Sequence, residues 1–334
     1  MTVTRQLPPC SAGRRKKGLF RSLISRHSDN KELRLKIREK PRKFPQTNTP
    51  ISVWFNGEKL HGKLSEHIAF KGVIATQAEM YDMQWKGEFR EQMTYISPAS
   101  GDPVGVSFLQ PRSKEDLIRR RIMMSLWAEM HHGFLGRAPD YMNTALMAFS
   151  SAAELLSEQD PRYADNMRNY YIYCRENDIT LSHAFVQPHI GRFSTCLQTL
   201  EEPDAAKVIE KSEVTHQILC RTIAKTEFLL GTIEYIVSVL GLNSHAHIIE
   251  KVSEVITVLE TMKSLLLAAE EKAFTDSWGT VIPDPDIMFT ANFIFPRVYP
   301  RIIEILQLIG ASGLIMLPRE EDFYAEYPMT SINT

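Results

Sequence analysis

The chain has no CxxC pair, and its four cysteines, Cys10, Cys174, Cys196 and Cys220, follow no regular spacing. That pattern leaves no disulfide framework to read, and free thiols in a reducing compartment are expected. The histidine pairs His131-His132 and His245-x-His247 lack a carboxylate or further histidine at ligand spacing, so no metal is expected. Long apolar runs are also missing: the longest, Phe228–Leu242, contains Glu234 and is too short to cross a bilayer. No series of alternating strands follows the opening of the chain, so a second, β-rich module is not expected. Nor does one sign of charge dominate, the formal net charge being −1.

That average hides an asymmetry. Residues 1–45 carry fourteen Lys/Arg against three Asp/Glu, leaving 25 against 37 in the remainder. An acidic body with a basic arm is not the footprint of a nucleic-acid-binding domain, whose basic residues line one folded face. Up to Ser28 the arm has no acidic residue, and Gly18–Arg26 (GLFRSLISR) suits a short amphipathic turn. A solvated, disordered tail on a cytoplasmic protein accounts for this, with a mitochondrial transit peptide as the alternative.

What is present is a hydrophobic content of 43% over 334 residues, enough for a substantial core. A polar, Pro-rich stretch ends the tail and linker, residues 1–50. Ile51–Phe55 then leads to Asn56-Gly57 and Lys59–His61, a hairpin signal. From Ser113 onward the pattern is helical. Ser113 with Asp116 forms a cap before the stripe Leu117, Ile118, Ile122, Leu126 and Met130, and Arg119-Arg120-Arg121 reads as a solvated face pairing with Glu115 and Asp116. Pro139 fits the first turn of a second helix, with Tyr141, Ala145, Leu146 and Phe149 along it. Asp160-Pro161 opens a third helix running to about Glu176, in which Tyr170, Tyr171 and Tyr173 are expected to pack in the core. Ser212–Leu240, Ile248 to Lys272 and Tyr299–Ile309 complete a mainly α, antiparallel bundle.

Two segments carry candidate chemistry. In Gly136–Asn143 (GRAPDYMN) the Arg137 guanidinium and the Tyr141 phenol lie four residues apart. In Arg175–Phe185 (RENDITLSHAF) the His183 imidazole follows a charged helix end. All three groups can hydrogen-bond and polarise a phenolic oxygen. A base or strong acceptor there favours the phenolate, and a guanidinium that keeps its proton stabilises charge on it.

Together with Ser65–Phe70 (SEHIAF), Ser97–Gln110 (SPASGDPVGVSFLQ), Asp160–Phe185, Lys225–Gly231 (KTEFLLG) and Phe295–Leu314, these segments resemble the oxygenase component of two-component 4-hydroxyphenylacetate 3-monooxygenases. Those belong to the acyl-CoA dehydrogenase-like flavoproteins, and the resemblance runs from about Ile51 to Phe323. It implies a homo-oligomeric enzyme that takes reduced FAD from a separate NADH-dependent flavin reductase. Such an enzyme forms a C4a-hydroperoxyflavin with molecular oxygen and hydroxylates a phenolic small molecule ortho to its hydroxyl.

By the same resemblance Arg137, Tyr141 and His183 are the catalytic and substrate-binding residues. His183, His189, Ile190, Gly191 and Arg192 line the flavin, although His189 and Gly191 stand where the family has Gln and Asn. Gln307, Gly310, Ala311, Ser312 and Gly313 (in QLIGASG) are similar to the turn at which acyl-CoA dehydrogenases bring backbone N–H groups to the FAD pyrophosphate, often that of a neighbouring subunit.

The implied domains are a hairpin and helical domain at 51–194, a junction at 195–211 where the family's middle β-barrel domain is missing, a C-terminal helical bundle at 212–323 and a tail at 324–334. The family's C-terminal tail is likewise not found after Tyr327. A related dehydratase of the same superfamily needs clustered thiolates for an iron–sulfur centre, which Cys174 and Cys196 do not provide. The alternative to an active hydroxylase is a truncated, catalytically impaired helical homologue kept as a binding or scaffold remnant.

Overall fold

The computed structural model describes residues 53–136, 138–158, 160–181 and 214–314. The expectations for the basic tail, the 195–211 junction and the 324–334 tail lie outside them. The chain enters through strands β1 (Trp54–Phe55) and β2 (Glu58–Lys59), paired antiparallel with Trp54 opposite Lys59. Asn56 and Gly57 between them both take positive φ, 50° and 84°, which a tight two-residue hairpin of this twist demands. The Phe55 ring meets Phe70 edge-on at 5.4 Å, seating the hairpin on the start of helix α1 (Lys71–Met83).

A short helix α2 (Arg90–Met93) leads into β3 (Thr94–Ile96), paired with β4 (Pro103–Gly105), and a 3-10 turn at Val106–Phe108 follows. The helical body is then α3 (Lys114–Met130), α4 (Pro139–Ser151), the short α5 (Glu154–Ser157) and α6 (Pro161–Asn177). After the undescribed stretch come α7 (Val214–Val239) and α8 (Ala246–Glu271), the strand pair β5 (Phe274–Thr275) and β6 (Val281–Ile282), and α9 (Pro285–Gly310). The mainly α expectation holds. Two strand pairs beyond the opening hairpin are additions, each too short to carry a strand-period signal.

Helix α7 is the spine of the bundle, packing against α3, α4, α8 and α9, while α8 and α9 pack on each other. Two cores follow its length. One gathers Met80, Met93, Met123, Met124, Trp127, Leu219, Ile223, Met262 and Met288; the other Leu229, Ile233, Val237, Val255, Ile302, Ile305 and Ile309. Methionine's unbranched chain fills the irregular space where helices and short strands meet in the first. The indole of Trp127 donates to the Met80 carbonyl at 2.9 Å, so its one polar atom is satisfied inside.

Several helix expectations need correction. Ser113 does cap α3, accepting the Asp116 N–H at 3.2 Å, but the buried face is Leu117, Arg120, Met123, Met124, Trp127 and Ala128. Ile118 is exposed. The arginine run is not a solvated face. Arg119 donates to the Thr94 carbonyl, Arg121 Nε to Glu270 at 3.0 Å, and Arg120 is wholly buried. Patterning by residue type misses this because an arginine enters a core when carbonyls meet its fork.

Of the expected tyrosine packing in α6 only Tyr171 is drawn inward; Tyr170 and Tyr173 stay exposed. Helix α9 is much longer than Tyr299–Ile309. It starts at an Asp284 cap on the Ile287 N–H at 3.0 Å and runs through Pro296 and Pro300. Both prolines lie on its exposed side. Cys174 and Cys220 are free and buried, as expected.

One buried ion cluster joins three helices. Glu270 on α8 receives Arg121 of α3 and the Nε2 of His216 on α7 at 2.9 Å. Burial holds His216 below its ordinary range and Glu270 only partly offsets it, so the ring is neutral and donates Nε2–H. Replacing Glu270 by Ala leaves Arg121 and His216 without their acceptor, and chemical denaturation should show a loss of roughly 3 kcal/mol. Ser113→Ala should cost about 1 kcal/mol in the same measurement.

Candidate active site

Pro139 occupies the first turn of α4, where its missing N–H costs nothing and its fixed φ suits the helix. That places Tyr141 in the same turn, half-buried, its N–H donating to the Ala138 carbonyl at 3.1 Å. The expected apolar stripe of α4 is rotated. Leu146 is buried as expected, but Asp140, Asn143, Thr144 and Met147 face inward as well, while Phe149 is exposed and Tyr141 and Ala145 are intermediate. Polar residues at positions i, i+3 and i+4 therefore share the buried face with Leu146, Met147 and Ala148, which ordinary amphipathic patterning does not anticipate.

Their partners explain it. Arg120 Nη1 donates to the carbonyls of Leu109 at 2.6 Å and Ser107 at 3.1 Å, and its Nη2 to Thr144 Oγ1 at 2.7 Å. Asn143 Nδ2 donates to Ser107 Oγ at 3.0 Å, and Gln217 Nε2 of α7 to Asp140 Oδ1 at 3.3 Å. This polar seam locks α3, α4, α7 and the Val106–Phe108 turn together. Sequence reasoning missed it, although the run Asp140, Asn143, Thr144 at helical spacing was its signal. Burial pushes the Asp140 carboxyl up to about 7, against the lowering effect of the Gln217 hydrogen bond.

On the other side of the seam Tyr171 OH donates to the Phe108 carbonyl at 2.5 Å, and the Arg175 guanidinium covers the Tyr171 ring at 5.0 Å. Glu176 accepts from Ser97 Oγ and Ser100 Oγ, each at 2.6 Å, tying the end of α6 to the Ser97–Gln110 segment.

Arg137 and His183 lie outside the described residues, as do His189, Ile190, Gly191 and Arg192. The turn at the end of α9 is described. Gln307, Ala311, Ser312 and Gly313 are exposed, and Gly310 is buried beneath Leu314, where a Cβ would meet Leu314 Cγ at 2.4 Å. Ala311 has φ 45°, and a Cβ on Gly313 would meet nothing. Small side chains and open backbone here fit the approach of a pyrophosphate.

One chain does not bring this turn to Tyr141. α7 rises roughly 24 Å between Gln217, which reaches Asp140, and Ile233, which shares its core with Ile305 and Ile309. The candidate residues thus sit at two ends of the bundle. Among the described residues no helix is long and apolar enough to cross a membrane, and no group of three or more His, Cys, Asp or Glu is placed to hold a metal.

Residues 46–214 match the family model 4-hydroxyphenylacetate 3-hydroxylase N terminal, and residues 211–328 its C-terminal counterpart. The chain belongs to the 4-hydroxyphenylacetate 3-hydroxylase family. Among its family relatives is a 4-hydroxyphenylacetate 3-monooxygenase oxygenase component of Geobacillus sp. (strain PA-9), 30% identical over 82% of this chain and 78% of the relative. Another is a probable 4-hydroxyphenylacetate 3-monooxygenase of Bacillus subtilis (strain 168), 29% identical over 82% of this chain and 80% of the relative.

A family crystal structure, an oxygenase component complexed with FAD and 4-hydroxyphenylacetate, superposes with a TM-score of 0.72 at 27% identity, covering 82% of this chain and 79% of that one. The fold is therefore the acyl-CoA dehydrogenase-like helical bundle. The Bacillus alignment runs over 385 residues, more than the 334 of this chain, so it includes positions with no counterpart here.

The seam makes a pH prediction. A carboxyl raised in the folded state stabilises fully below its unfolded pKa, and that contribution is lost as pH rises from about 4 to about 7. Asp140→Asn should keep the Gln217 contact, flatten this fall and make the protein more stable than wild type by on the order of 2 kcal/mol at pH 8. Denaturant midpoints of the two proteins from pH 4 to 8 check it, and the difference between them cancels the other titrating groups.

Proposed function

We propose that this chain is the oxygenase component of a two-component, reduced-FAD-dependent monooxygenase that hydroxylates a 4-hydroxyphenylacetate-like phenol ortho to its hydroxyl. The support is family membership across both family models, with Tyr141 of the matching GRAPDYMN segment half-buried in the first turn of α4, a helix fixed by the polar seam on its inner face. When bound, reduced FAD from a separate NADH-dependent reductase would supply the two electrons needed to divide molecular oxygen between the ring and water.

The chain's own residues act on the phenol. His183 accepts the proton of the substrate hydroxyl, which raises electron density at the ortho carbon. Arg137, charged throughout, holds the resulting oxygen anion, and Tyr141 fixes its direction by a hydrogen bond. The ring hydrogen displaced by oxygen leaves as a proton. Gln307 and the backbone of Gly310, Ala311, Ser312 and Gly313 would hold the pyrophosphate, and His183, His189, Ile190, Gly191 and Arg192 would line the isoalloxazine. Because the described ends lie far apart on one chain, the turn of one protomer serves the flavin of its neighbour in a homo-oligomer.

The second reading is a helical homologue with impaired turnover. It is favoured by the meeting of the two family models at residues 211–214, beside the 195–211 junction, and by relatives' positions without counterpart. The missing piece is then the β domain that would cover the flavin.

Purified protein with flavin reductase, NADH, FAD and 4-hydroxyphenylacetate distinguishes the two, the first giving the catechol and the second none. Where product forms, Arg137→Ala and His183→Ala should lower kcat/KM at least about a hundredfold, and Tyr141→Phe about tenfold, with unchanged circular dichroism. Unchanged rates in all three variants would remove these roles.

A further inference from the structure

We propose that Arg221 and Lys225 of α7, with Gly133, are positioning residues for the segment that carries Arg137 and delivers Tyr141 into α4; the inference rests on that segment being the phenol site. The chain leaves α3 through two successive left-handed residues, His132 at φ 53° and Gly133 at φ 70°. Gly133 N–H returns to the Ala128 carbonyl at 2.9 Å, closing the helix end. At Gly133 the loop lies on the α7 backbone itself. A Cβ there would meet the Arg221 carbonyl oxygen at 2.4 Å and the Lys225 nitrogen at 2.5 Å, so no other residue fits without moving the loop.

The two α7 cations grip the loop from either side of that contact. Arg221 Nη1 donates to the Gly133 carbonyl at 3.3 Å. Lys225 Nζ lies between the rings of Phe134 at 4.9 Å and Tyr299 at 5.2 Å, so it bridges the loop to α9. His132 stacks on Phe228 at 4.6 Å, and Phe134 meets the same ring edge-on at 5.7 Å. Beyond the grip, the Leu135 N–H donates to His131 Nδ1 at 3.2 Å, which requires that nitrogen to be unprotonated. Burial keeps His131 so, at about 4. Leu135 and Ala138 then enter the core on both sides of Gly136 and Arg137.

Burial and the neighbouring Arg221 both lower the Lys225 pKa, a cost that a cation without a task in the fold need not carry. Its task is to hold Phe134, and with it the approach to Arg137. The pair thus acts on the phenol through the loop rather than by touching it.

Three variants test this in the full chain: Arg221→Gln, Lys225→Met and Gly133→Ala, each compared with Tyr141→Phe. Two measurements are made, amide hydrogen exchange over residues 131–138 and calorimetric titration with 4-hydroxyphenylacetate. Arg221→Gln and Lys225→Met should keep the wild-type circular dichroism, speed exchange in the loop at least tenfold and weaken binding about tenfold. Lys225→Arg, which keeps a cation between the rings, should restore both.

Unchanged exchange in Arg221→Gln and Lys225→Met overturns the positioning role, whether or not the ligand binds. Weakened binding in Tyr141→Phe with wild-type binding in both α7 variants also overturns it. Faster exchange with unaltered binding in every variant, Tyr141→Phe included, keeps the grip but overturns its link to a phenol site. If Gly133→Ala fails to fold, the two α7 variants still decide.

Discussion

Everything near the candidate site depends on one buried guanidinium. Arg120 has no access to solvent, yet its two terminal nitrogens reach the carbonyls of Ser107 and Leu109 and the hydroxyl of Thr144. Lysine, a single point charge, lacks the planar fork that serves three acceptors on two elements at once. The carbonyls lie in and just after a 3-10 turn that offers no helical partner for them, so the arginine replaces the missing hydrogen bonds. In return the charge is solvated by fixed dipoles instead of water. That exchange sets the orientation of α4, because Thr144 must face inward for it to work. Asp140 and Asn143 follow on the same helical face, and Tyr141 is turned to the side between core and solvent.

A second constraint acts where α3 ends. The glycine at 133 lets two backbones meet at a distance that no side chain permits, and the cations of α7 close over it. The stretch between α3 and α4 is therefore held at its start by α7, in the middle by the Phe134, Phe228 and Lys225 cluster, and at its end by the buried Ala138. A short loop with that many attachments fixes where α4 begins.

The far end of the bundle is built differently. There an aliphatic core of Ile233, Val255, Ile302, Ile305 and Ile309 carries α9 straight to a turn of small residues whose backbone is open. Helix α7 links the two ends, being polar and tightly bonded where it meets α4 and aliphatic where it meets α9. Its length places the Asp140 seam and the small-residue turn at opposite ends of the bundle.

Much of the helical plan was legible in the sequence because capping and turn chemistry are local. Asn56-Gly57, Ser113, Asp160-Pro161 and Gly241 mark element ends through interactions spanning two to four residues. Family membership was legible too, since segments such as GRAPDYMN and KTEFLLG can be read as uninterrupted strings.

Which face each helix buries was decided only in three dimensions. An arginine or aspartate is hydrophilic until carbonyls or amides from distant segments meet it, and those partners, Leu109 for Arg120 and Gln217 for Asp140, come from other elements. The same holds for the passage of α9 through two prolines, which local propensity alone forbids and packing of its apolar face permits. Sequence determined where the helices begin and end and which family the chain belongs to; tertiary contacts determined that Asp140, Asn143 and Thr144 face inward and leave Tyr141 between core and solvent.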